Sequence, residues 1–176
     1  MKRIFAVLLI ACMIALPMTA CGEKHEEPTG SMSLAGDMGV RVGGSWFVLR
    51  TEASGLIEAL GSQYELEEMP SSLYAGTDKV YRYEECRVLT NPDGEQDIWY
   101  CIQISGQACS TARNIKVGNT REEVVSKYGD NYYEDEEKRM VYSSSGIPGD
   151  LLSPYLAFSF DNGVVSGIEV CSPPQI

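Results

Sequence analysis

Six cysteines, one histidine and a surplus of acids are the residues in this chain that could do chemistry, and their spacing rules out more than it supports. His25 is the only histidine and stands near the N-terminus, so no Ser–His or Cys–His dyad and no histidine-based metal site can form in the body of the chain. Glu65, Glu67 and Glu68, and the run Glu134-Asp135-Glu136-Glu137, offer paired carboxylates in principle. Nothing apolar surrounds them in sequence to raise a pKa, so they read as solvated charged loops, and no catalytic residue is assigned. Asn91-Pro92-Asp93-Gly94-Glu95-Gln96-Asp97 alternates acids as a calcium loop does but lacks the closing Glu, and its turn residues explain it as a hairpin. No cofactor or metal is expected. The cysteines are Cys12, Cys21, Cys86, Cys101, Cys109 and Cys171, with no Cys-x-x-Cys among them, which speaks against a redox enzyme.

Two of those cysteines belong to the N-terminus. Lys2 and Arg3 precede an apolar run from Ile4 to Leu16 that is too short to span a bilayer, the pattern of an export signal. It ends in Met18-Thr19-Ala20-Cys21, which resembles the lipobox of bacterial lipoproteins. The resemblance implies cleavage of residues 1–20, diacylglyceryl transfer to the Cys21 sulfur and a lipid anchor on the outer face of the cell membrane, or of the outer membrane in a diderm. Removing Lys2 and Arg3 from the 14 basic residues, against 25 acidic ones, takes the net charge from -11 to -13, so nucleic acid is a poor partner. Residues 21–44, rich in Gly, Ser, Glu and Lys, read as a flexible tether, and 45–176 as one globular domain.

The domain repeats itself. Phe47, Leu49, Leu56, Ile57, Gly61 and Tyr64 fall over Ile115, Val117, Val124, Val125, Gly129 and Tyr132 without a gap, giving repeats at about 45–108 and 109–176. In the second, Thr120 and Glu123 form a capping box for an amphipathic helix to Tyr128, and Gly129 ends it; Ser54 to Leu60 with Gly61 repeats the device. After each helix comes a hairpin. Val80 to Thr90 and Asp97 to Ser105 flank Asn91 to Gly94, and Tyr155 to Phe160 and Val164 to Cys171 flank Asp161-Asn162-Gly163. The expected class is α+β: two tandem helix-plus-antiparallel-hairpin repeats, with the helices packed on one face of the sheet.

The string Ile115 to Gly129, with the strand and hairpin after it, resembles two kinds of small exported protein: the β-lactamase inhibitory protein-like group and the small lipoprotein of the β-barrel assembly machinery. Gly76-Thr77-Asp78-Lys79-Val80-Tyr81-Arg82-Tyr83 looks like a pattern in uncharacterised lipoproteins of Gram-positive gut bacteria. The resemblance implies a helix layer on an antiparallel sheet and a binding function.

Period-two alternation places Ile98, Tyr100, Ile102 and Ile104 under the helices and Trp99, Cys101, Gln103 and Ser105 on the open face. A two-residue Asp93-Gly94 turn would set Cys86 opposite Cys101, leaving Cys109 for Cys171. Of the three pairings of four cysteines this is the favoured one, with free thiols as the alternative. The same register gathers Arg82, Glu84, Val88 and Gln103 around Trp99, and Trp and Arg are common binding hot spots. The bland reading packs Trp99 on Val88 as an ordinary cross-strand pair. The expected function is a non-enzymatic protein-binding or assembly module held at the membrane, using Arg82, Glu84, Trp99, Gln103 and the 143–154 loop. A carboxylate-dependent cell-envelope hydrolase and a structural spacer are the alternatives.

Overall fold

The computed structural model describes residues 26–30, 32–150 and 152–173, so the signal segment, Cys21 and His25 lie outside the described residues. A one-turn helix α1 (Leu34–Asp37) leads into a hairpin of β1 (Gly39–Val42) and β2 (Ser45–Val48), then α2 (Ser54–Leu60). Four strands follow: β3 (Glu65–Pro70), β4 (Thr77–Arg82), β5 (Cys86–Asp93) and β6 (Gln96–Ile104). After the short β7 (Cys109–Ser110) and α3 (Arg121–Tyr128) come β8 (Tyr133–Glu134), β9 (Met140–Ser143), β10 (Tyr155–Asp161) and β11 (Val164–Cys171).

Strands dominate, at 43% of residues against 12% in helix, which corrects the expected α+β class. Each hairpin is part of a four-stranded meander, and the helices do not pack as helix-plus-hairpin units. One antiparallel sheet runs β3-β4-β5-β6-β11-β10-β9-β8, with the last strands of the two meanders side by side at its centre. A second sheet, β2-β1-β7, joins Val42 of β1 to Cys109 of β7. The strands missed in sequence include both edges of the large sheet, β3 and β8. In β3 all six residues are exposed and three are Glu, a composition that hides a strand and also protects an edge from further pairing.

The segment expected to be a tether enters the fold from its C-terminal side. Asp37, Met38 and Val40 are fully buried, and β1 is the central strand of the small sheet. Arg113 clamps this segment: its guanidinium meets both Asp37 oxygens, at 2.6 and 3.1 Å, and donates to the carbonyls of Gly30 and Lys127. It also lies 4.9 Å over the Tyr128 ring, so a charge that burial would penalise is paired, hydrogen-bonded and stacked at once. Glu27 adds an ion pair to Lys127 and a bond from Asn114.

One apolar core joins Met38, Val40, Leu56, Val88, Ile102 and Val124 with Phe158, Ile168 and Val170, all buried. The helix α3 contributes Val124 and Tyr128 and is fixed by its capping box, Glu123 N to Thr120 Oγ1 at 3.2 Å and Thr120 N to Glu123 Oε2 at 2.7 Å. The helix α2 buries Leu56 and has no side-chain cap.

Candidate functional site

The site is built by two departures from simple alternation in the β5–β6 hairpin. The turn centres on Gly94 and Glu95, setting Asp93 opposite Gln96, and a bulge between Leu89 and Thr90 adds a residue to β6. Cys86 therefore stands opposite Ile104, and Cys101 opposite Leu89, which corrects the Cys86–Cys101 expectation. The bulge also turns Trp99 over. It pairs with Thr90, is fully buried in the core, and its indole N–H reaches Thr51 Oγ1 at 3.3 Å, so it does not belong to the open face. Val88 is likewise buried.

Arg82 and Gln103 do lie on the face turned away from the core, and the register places Arg82 opposite Arg87, Arg87 opposite Gln103, and Gln103 opposite Glu169. Glu84 sits apart, exposed on the connection from β4 to β5. The four facing residues begin a continuous polar strip. Arg82 grips Glu67 with two bonds of 2.7 and 2.8 Å, and these bonds, with the opposite charges behind them, raise the Arg82 pKa and lower that of Glu67. Arg87 Nε donates to the Gln103 carbonyl oxygen, and the Gln103 amide N–H donates to Glu169 at 2.5 Å. Gln103 thus relays between a cation and an anion, which fixes its amide orientation.

Glu169 is the centre of the strip. Its other oxygen accepts the Tyr155 hydroxyl at 2.6 Å and an Arg139 N–H at 3.2 Å. Burial and the bond to Glu169 push the Tyr155 pKa up, so Tyr155 acts as a donor. Arg139 reaches on to Asp135 at 2.7 Å and Glu137 at 3.5 Å; burial works against its charge, but these partners raise its pKa overall. A groove of about 470 Å³ runs along the strip, lined by Arg82, Arg87, Gln103, Ser105, Arg139 and Glu169 among others.

Arg87, Arg139, Tyr155 and Glu169 were not singled out in sequence. Strand alternation through Gln103 and Glu169 could have found Glu169, but Arg87 needed the true turn. The acids proposed for hydrolysis are held in ion pairs: Glu134 with Arg121, and Asp135 and Glu137 with Arg139 at the end of the strip.

Beneath Gln103 and Glu169, on the same face, Cys101 and Cys171 form a disulfide between the central strands of the sheet. This overturns the expected partner for Cys171 as well. Cys101, Glu169 and Cys171 bring their donor atoms within 4.8 Å of one another, yet sulfurs bonded to each other have no thiolate to give a metal. Cys86 and Cys109 are buried thiols. No helix among the described residues is long and apolar enough to cross a membrane.

Comparison with known proteins adds no identity: no protein-family model, curated protein or solved structure matches the chain.

Proposed function

We propose that this chain is a lipoprotein anchored through Cys21 to the outer face of the cell membrane, or of the outer membrane in a diderm, and that its domain is a non-enzymatic module that binds a protein partner on the strip from Arg82 to Arg139. The observation that carries the binding reading is the preorganised strip itself. Two meanders meet so that Arg87, Gln103, Glu169, Tyr155 and Arg139 form one connected chain of hydrogen bonds beside an open groove. Side chains already ordered lose little entropy when a partner binds, which favours recognition of a polar, mixed-charge surface. The export pattern from Lys2 to Cys21 supports the location.

Two experiments test the reading separately. Labelled palmitate should enter the wild type and not Cys21→Ser; label in both would remove the anchor. A partner identified by crosslinking should bind Arg87→Ala and Gln103→Ala at least about tenfold more weakly than wild type. Equal binding by both variants would move the interface off this face.

A further inference from the structure

Cys86 and Cys109 belong to different sheets, Cys86 opening β5 of the large one and Cys109 opening β7 of the small one. Glu85 brings them together. Its carbonyl accepts the N–H groups of Ser105 and Gly106 at 2.8 and 3.1 Å, and its carboxylate accepts that of Ala108 at 2.7 Å. The chain can come this close because residue 106 is glycine: a Cβ there would lie 2.5 Å from Glu85 Cδ. Residues 105–108 are thus wrapped around Glu85, and the residue that follows them, Cys109, ends beside the residue that follows Glu85. The two cysteines belong to one apolar core, 4% and 1% exposed, and each thiol perturbs the titration of the other.

We propose that Cys86 and Cys109 are a second disulfide site, closed by thiol–disulfide exchange with an external disulfide, that staples the large sheet to the small one. The site is independent of the binding reading. Cys86 leads the exchange because it is the less deeply buried of the two, 4% exposed against 1%. Its thiolate attacks one sulfur of the external disulfide, forming a mixed disulfide as that bond breaks and the first thiol leaves. Cys109, deprotonated in turn, attacks the Cys86 sulfur, forming the Cys86–Cys109 bond and expelling the second thiol. Two electrons reduce the external disulfide and the two cysteine protons end on the departing thiols, so the step balances. The Cys109 thiol's hydrogen bond holds the Cys86 pKa below its ordinary value despite burial, which agrees with this order. Closure clamps the base of the hairpin that carries Arg87 and Gln103.

The test uses the folded full-length chain, reduced and then incubated with oxidised glutathione, quenched in acid, alkylated in denaturant and digested for mass mapping. Mapping by peptide keeps Cys12 and Cys21 out of the result. The expected products are Cys86 joined to Cys109 and Cys101 joined to Cys171. The oxidised protein should melt roughly 5–10 °C above the Cys86→Ser/Cys109→Ser double variant. Alkylation of both Cys86 and Cys109 in molecules whose Cys101–Cys171 bond is intact overturns the proposal, as does Cys86 joined to any other cysteine. The wild-type map decides the matter even where the double variant fails to fold.

Discussion

Arg113 and Asp37 are both buried, so removing one leaves the other as an unpaired charge in the core. Arg113→Ala should therefore destabilise the domain by about 3–5 kcal/mol in denaturant unfolding, and a loss under about 1 kcal/mol would mean that the pair is hydrated and weak. Nothing local in sequence announces this pair, since its members stand 76 residues apart and Asp37 sits in a stretch whose composition reads as tether. Thr120 and Glu123, three apart, announced their capping box at once, because the geometry of a helix start is local. Asp150 supplies a pH test. Bonds from Ser153, from the N–H of Leu152 and from Ser145 hold its pKa down to about 2. A folded-state pKa below the unfolded value contributes order above the ordinary carboxylate range that is lost as pH falls through the folded value. Hydrogen exchange at the Leu152 amide, measured against a distant control, should speed up as pH drops from about 4 towards 2. Exchange that keeps pace with the control throughout would show that Asp150 does not organise this loop.

Elements depend on where alternation breaks. Period two holds from Cys101 to Ile104 and fails at Trp99, because one extra residue in β6 inverts every side chain beyond it. That is why the sequence reading placed Gln103 on its proper face and Trp99 on the wrong one. The Asn162-Gly163 turn, with φ of 50° and 80°, was legible because only a few residue types tolerate that conformation. The strand β3 was not, since an edge strand exposed on both faces carries no apolar period. The loop from Ser105 to Ala108 makes a sharp prediction of its own. Gly106→Ala drives a methyl group into Glu85, so the loop or the start of β5 must shift, at roughly 1–3 kcal/mol in thermal unfolding. An unchanged melting temperature would show that Glu85 swings aside freely.

At the scale of the whole molecule, two four-stranded meanders are joined at their last strands by the β6–β11 pairing and by the Cys101–Cys171 bond, and the polar strip crosses that seam. Gln103 comes from one meander and Glu169 from the other, so the proposed binding face exists only when both halves are folded together. The internal repeat carried no sign of the central seam, because strand order across a sheet is a long-range property that neither half encodes alone. Reduction of Cys101–Cys171, which closes a loop of 70 residues, should lower stability by about 4 kcal/mol in denaturant unfolding. The most direct test of the account is photo-crosslinking in the producing cell, with a photoreactive residue in place of Arg87 or Gln103 on the strip, or of Glu122 on the exposed side of α3 as a control. The account predicts one discrete protein adduct shared by both strip positions and missing from the control. No adduct from either strip position, or the same adduct from all three, would contradict it.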